Sequence, residues 1–197
     1  LFGVVLGAAI MLLPALLLLT FGDVRWQNGD ATINAFLSSV VLFAAVAIAE
    51  ELLFRGFIFQ RLLDGLGEWP AQLILSGYFV LTHSAGLKAA GNSKYLAGLN
   101  IFVASLTFGL AFIRTRSLAM PLGIHFAANL TQGGILGFGV SGNNEPGLLR
   151  PVFADAPEWL TGGAFGLEAS VPGFIAIAAA VVLLYRWRAT TSEFASR

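Results

Sequence analysis

Apolar residues fall into six long blocks along the chain, parted by short polar stretches. The blocks cover Leu1–Phe21, Ala31–Ala49, Pro70–Gly86, Leu96–Ile113, Ser117–Phe138 and Val171–Trp187. Each comes near the ~20 apolar residues that an α-helix needs to cross a bilayer. The second block does not stop at Ala49 but continues as EELLFRGFIFQRLL to Leu63. Pro70 and Pro121 stand in the first turns of their blocks, where proline is tolerated. No 20–50-residue repeat is evident. The pattern predicts an all-α, polytopic transmembrane helical bundle with about six spanning helices, in a single membrane-embedded domain over residues 1–197. Leu1–Phe21 has no basic stretch ahead of it and reads as a span rather than a signal peptide, in a chain expected to lack an upstream portion. Gly139–Ser170, polar and rich in glycine and proline, reads as an ordinary long loop, with a surface-lying piece near Pro157–Leu160.

Composition sharpens this picture. Hydrophobic residues make up 57% of the 197 and charged residues only 11%, against roughly 25% charged in soluble domains. Mean hydropathy is +0.80. These values exclude a soluble enzyme, a disordered chain and a disulfide scaffold. The absence of cysteine removes thiolate metal sites and cysteine nucleophiles. Zero net charge offers no basic field for nucleic acid. The lipid bilayer is the expected partner. With both ends on the cytoplasmic side, Arg61, Arg114, Arg116, Arg186, Arg188 and Arg197 lie inside, with Arg55 near the inner boundary. Arg25, Lys88, Lys94 and Arg150 then lie outside, a seven-to-four bias that fits a bacterial inner-membrane protein oriented this way. Trp69, Trp159, Tyr185 and Trp187 fall at span ends, as an interfacial aromatic belt requires. The Gly3/Gly7 and Gly133/Gly137 pairs have the spacing for close helix packing.

Few polar groups remain inside the blocks, and their positions carry the chemistry. Glu50, Glu51 and Arg55 lie in the second, His83 in the third, and His125 and Asn129 in the fifth. Ionisable groups at bilayer depth cost ~2.5–3.5 kcal/mol each and normally face a partner or a cavity. At ~1.5 Å per residue, Glu50, His83, His125 and Asn129 lie ~16, ~20, ~12 and ~18 Å above the inner boundary. Three helices thus bring four polar groups to one layer about 8 Å thick. Glu51 and Arg55 are i,i+4, so guanidinium and carboxylate can pair. Glu50 points about 100° away and lacks that partner. Two adjacent carboxylates in a poor dielectric do not both ionise cheaply, which leaves Glu50 as the proton acceptor suited to act on water. His125 and Asn129, also i,i+4, present two donors to one side, as an oxyanion site needs.

Each feature alone has a structural explanation. Glu51–Arg55 is by itself a structural ion pair, Asn129 an interhelical hydrogen-bonding residue, and a lone membrane histidine a satisfied polar group. Thr82, Ser84, Thr107 and Thr131 read as packing or backbone-bonding residues. The joint pattern favours a site. No H-E-x-x-H string supports a zinc site-2 protease, no aspartate lies in a span for an aspartyl type, and Ser76-Gly77 lacks the first glycine of a rhomboid motif.

Three motifs then stand in order on separate helices. Glu50-Glu51-Leu52-Leu53-Phe54-Arg55 fits E-E-x-x-x-R, Phe79-Val80-Leu81-Thr82-His83 fits F-x-x-x-H, and His125-Phe126-Ala127-Ala128-Asn129 fits H-x-x-x-N. Together they resemble the CAAX protease and bacteriocin-processing (CPBP, or Abi) family, whose eukaryotic relatives are the Ras-converting prenyl-protein endopeptidases. The resemblance covers a motif-bearing core of residues 31–138, followed by an extracytoplasmic loop, 139–170, and a terminal helix, 171–187. It implies an intramembrane endopeptidase acting on a peptide or a membrane-associated protein. By motif position, Glu50 and His83 would activate water, His125 and Asn129 would stabilise the oxyanion, and Glu51 with Arg55 would support the site. The expectation is chemistry without a resident metal; the alternative is an open zinc site of Glu50, His83 and His125. A non-catalytic membrane scaffold or immunity protein is the competing function, and a proton-coupled transporter a third, although no inverted repeat supports it.

Overall fold

The computed structural model describes residues 1–187, so Arg188 and Arg197 of the orientation count lie outside the described residues. Six apolar helical segments are present. The first is α1 (Phe2–Phe21), joined through strand β1 (Val24–Asn28) to α2 (Ile33–Glu51). A π-helical turn, Leu52–Ile58, then runs into α3 (Phe59–Leu66). Next come α4 (Glu68–Thr82), the short α5 (Ser84–Ala89), α6 (Lys94–Thr115) and α7 (Ala119–Asn129). A second π turn, Leu130–Ile135, strand β2 (Leu149–Phe153), the single-turn α8 (Glu158–Thr161) and α9 (Val171–Arg186) complete the order. By length and hydropathy three helices can each cross a bilayer: Phe2–Phe21, Ile33–Leu66 and Gly91–Thr115. The chain is a helical integral membrane protein. α4, α7 and α9 are shorter.

Burial follows the sequence pattern. α1 buries Gly3, Gly7, Ile10, Met11, Pro14 and Leu18, recurring every three to four residues, and turns Leu13, Leu16 and Leu17 outward. In a membrane protein those outward leucines meet lipid tails. Gly3 and Gly7 act as expected, because a Cβ on either would collide with the Met120 or Ile124 carbonyl of α7. That close approach is what small residues permit. α6 is the most buried of the long helices and stands at the centre. Asn100 of α6 donates to the Ser170 carbonyl at 3.1 Å, where the Ser170 hydroxyl caps α9 by accepting from Gly173 N–H at 3.0 Å. Trp69 stacks near Tyr185 and Phe2 near Trp187, at one end of the bundle.

Three expectations need correction. The third span does not run to Gly86: α4 stops at Thr82, and His83 (φ −91°, ψ 10°) leaves helical geometry and forms a corner before α5. The second and fifth spans each pass from α-helix into a π turn, immediately after Glu51 and Asn129 respectively. A π turn opens the i→i+4 ladder by one residue, and such turns gather at functional sites. The 139–170 segment is not an ordinary loop. Its β2 pairs antiparallel with β1, in register from Val24↔Phe153 to Asn28↔Leu149. The expected surface piece appears as α8. The β1–β2 pair puts residues 24–28 and 149–153 at one end of the bundle, the same-side placement that the charge count assigned.

Candidate active site

A cavity of about 660 Å³ opens between α2, the α4–α5 corner, α6, α7 and the start of α9. Its walls are mainly apolar, with Met11, Phe43, Leu53, Phe79 and Ile177 among them. Glu50, His83, His125 and Asn129 all line it, whereas Glu51 and Arg55 sit behind the wall. The four residues drawn from three motifs therefore share one space.

Behind the wall lies a charge network. Glu51 and Arg55 are both fully buried, with Nη1 3.3 Å from Oε1. Arg55 Nη2 donates to the Ser105 hydroxyl at 2.6 Å and to the Ser105 carbonyl at 3.0 Å. Its guanidinium carbon also lies 5.0 Å and 5.2 Å from the ring centres of Phe79 and Phe108, a cation–π arrangement. The same Glu51 oxygen takes a hydrogen bond from His125 Nδ1 at 2.9 Å. A carboxylate only accepts, so Nδ1 carries a proton, and the tautomer and ring plane of His125 are fixed. Phe108 stacks on that ring at 4.8 Å and 8°. The expected Glu51–Arg55 pair is present; its continuation to His125 was not expected.

On the cavity side, His125 Nε2 lies 3.8 Å from Glu50 Oε2, too long for a hydrogen bond. Among the described residues Glu50 Oε2 has no hydrogen-bond partner, and the arginine pairs with Glu51 instead, as expected. His125 and Asn129 face the cavity without bonding each other. Because Nδ1 is committed to Glu51, any hydrogen bond from His125 to a ligand must come from Nε2–H, which requires the doubly protonated ring. His83 is half-buried at its corner, with Nδ1 2.8 Å from the Phe79 carbonyl. That bond leaves Nε2 free. Thr82 and Thr107 bond to backbone carbonyls, as expected. Among the described residues no three His, Cys, Asp or Glu side chains are arranged to hold a metal ion. As placed, Glu50, His83 and His125 do not form the three-ligand site, and no chemical step is assigned to one.

Sequence reasoning missed several residues. Ser105 and Phe108 were unremarked among the apolar run of α6, though their i,i+3 spacing on one face was readable. The larger omission is Glu168, within the 139–170 segment expected to be an extracytoplasmic loop. The 3-10 turn Leu167–Ala169 carries it into the cavity. There Oε2 accepts from Ser141 N–H at 3.1 Å and from the Ser141 hydroxyl at 2.9 Å. Burial pushes this carboxyl up from its ordinary value, opposed by the Ser141 hydrogen bonds and by the nearby His83 and His125. No local sequence signal marks that return of the loop.

A profile of the family described as Type II CAAX prenyl endopeptidase Rce1-like matches residues 32–131. No curated protein and no solved structure matches the chain. The matched segment contains all three motifs and ends before Glu168.

Proposed function

Because the chain belongs to the Rce1-like type II CAAX prenyl endopeptidase family, we propose that it is an intramembrane endopeptidase whose reaction centre is the cavity bearing Glu50, His83, His125 and Asn129. The observation that carries this reading is that these four polar side chains line one largely apolar cavity, where electrostatic contacts are stronger than in water. Glu50, free of hydrogen bonds at Oε2, takes the proton of a water that His83 helps to orient through its free Nε2. The resulting hydroxide attacks the scissile carbonyl carbon. The oxyanion that forms is met by Asn129 and by Nε2–H of His125. Glu51 stabilises the positive imidazolium through Nδ1, and Arg55 holds Glu51 in place. This is the familiar logic of a base and an oxyanion site, with a buried carboxylate orienting a histidine. The multi-pass chain would lie in a bacterial inner membrane with both described ends on the cytoplasmic side. The substrate would be a peptide or membrane-associated protein that reaches the cavity within the bilayer.

The test compares membrane and secreted peptides, by mass spectrometry, from cells expressing wild type or Glu50→Ala. Purified protein is assayed in parallel on an internally quenched peptide with a farnesylated cysteine ahead of the scissile bond. Loss of specific products and of hydrolysis in the variant is expected. Identical peptide pools and equal hydrolysis would overturn the proposal in favour of a scaffold that binds without cleaving.

A further inference from the structure

The loop that β2 anchors adds a third carboxylate to the cavity, from outside the segment that the family profile covers. Glu168 is clamped through a single oxygen. Both Ser141 donors, N–H and O–H, reach Oε2, and among the described residues no hydrogen bond or cation engages Oε1. Ser141 adopts φ +50°, a left-handed geometry uncommon for a residue with a Cβ, and in this bend both donors meet one oxygen. The clamp rests on α5. A Cβ at Gly86, three residues after His83, would collide with the Ser141 carbonyl, so only glycine lets the loop sit this close to the His83 corner. Glu168 thus belongs to the part of the lining built on the His83 corner, whereas Glu50 and His125 come from α2 and α7.

Resting on the endopeptidase reading above, we propose that Glu168 is a further catalytic residue, the acid that protonates the departing amine while Glu50 serves as the base toward water. An amide nitrogen leaves poorly as an anion, so the C–N bond breaks only as that nitrogen gains a proton. The steps balance. Water's oxygen bonds to the carbonyl carbon as its proton passes to Glu50. The tetrahedral species then collapses, the C–N electron pair goes to nitrogen, and nitrogen takes the proton of the Glu168 carboxyl. The products are a carboxylic acid and an amine. Transfer of the proton from Glu50 to Glu168 through cavity water restores both groups. Two carboxyl groups in unlike surroundings commonly divide acid and base work in this way. Burial raises the Glu168 carboxyl from its ordinary value, the direction that suits a donor. The groups that face it are Ser141, His83 and His125, with Glu50 and Glu145 lining the same cavity.

The test uses the farnesylated quenched peptide and a matched analogue with an ester at the scissile position, whose alkoxide leaves without prior protonation. Wild type, Glu168→Gln, Ser141→Ala and Glu50→Gln are purified in detergent, and their melting temperatures are recorded. Glu168→Gln should slow amide cleavage by about 10²-fold or more, the usual worth of a general acid, while ester cleavage falls by no more than about threefold. Ser141→Ala should show the same preference in weaker form, and it carries the test if Glu168→Gln does not fold. Glu50→Gln should slow both bonds. Equal slowing of amide and ester by Glu168→Gln, or an unchanged amide rate, would overturn the acid role and leave the endopeptidase reading standing. A wild type that cleaves neither bond would overturn that reading, and this role with it.

Discussion

The two walls of the cavity are built on opposite principles. The α2–α7 wall is backed by a buried charge network, in which Ser105 holds Arg55, Arg55 holds Glu51, and Glu51 holds His125. Glu51 and Arg55 have no solvent exposure at all. The other part of the lining is a helix corner and a loop. His83 is held by the Phe79 carbonyl, with the Thr82 hydroxyl and the Phe79 ring beside it, and Glu168 by one serine presented from a strained bend. Firm seating of His125 suits a site where the orientation of an oxyanion donor matters, because misplacement of such a donor is costly.

The comparison breaks first at Arg55. In Arg55→Ala a buried Glu51 loses its cation and Ser105 loses its partner. Breaking a buried pair from one side costs about 3–5 kcal/mol, a large share of the roughly 5–15 kcal/mol that holds a domain folded. The expected result is a steep fall in the yield of monodisperse protein and in melting temperature. Arg55→Lys should recover only part of the loss, because an ammonium lacks the planar fork that spans Glu51 and Ser105. An Arg55→Ala protein that melts with wild type would mean that the network does not support its wall.

Glu50→Gln should do the reverse. Glu50 is partly open to the cavity and among the described residues its Oε2 has no hydrogen-bond partner, so the variant should melt close to wild type while hydrolysis falls about 10²–10⁴-fold. Lost stability with retained activity would exchange the roles assigned to Glu50 and Glu51. A smaller effect is expected at the back of the same wall. In Gly7→Val the new methyls meet the Ile124 carbonyl, beside His125. Overpacking of this kind costs about 1–3 kcal/mol, read as a lower melting temperature. The change should also reduce kcat, because α7 must shift and carries His125 with it. Unchanged kcat would show that the His125 ring is set by Glu51 and Phe108 alone.

What could be read in advance follows the same division between walls. The Glu51–Arg55 pair and the shared depth of Glu50, His83, His125 and Asn129 depend on helix rise and i,i+4 spacing, and both are written locally. The Gly3/Gly7 packing face was readable for the same reason. The corner at His83 was not, since Ser84 and Gly86 do not forbid a helix, and the α4 exit depends on what packs beside it. The β1–β2 pair joins residues more than a hundred positions apart, too polar and short to stand out in a chain dominated by apolar runs. Glu168 looked like one more solvated loop acid because nothing near it in sequence reveals Ser141, its only hydrogen-bonding partner among the described residues. The 139–170 loop boundaries could place Glu168 at an end of the bundle; they could not turn that end inward.

The finest test of the difference between the walls is the pH dependence of stability conferred by Glu168 itself, which lies in the loop ahead of α9, outside the spanning helices. Its carboxyl is pushed up by burial. Below the ordinary carboxylate value of about 4.3, the group is protonated whether the chain is folded or not, and the burial has no electrostatic cost. As pH rises past that value, the unfolded chain releases the proton while the folded chain retains it, so wild type loses stability until the folded value is passed. Glu168→Gln cannot titrate and escapes this loss. The melting temperature of the variant minus that of wild type should therefore rise by a few degrees between about pH 5 and about pH 8, with every other titrating group common to both proteins. A gap that is flat or falling over that range would mean that Glu168 is already ionised in the folded protein. It would then have no proton to give to a leaving amine, and the loop wall would be a second site of fixed charge, like the α2–α7 wall.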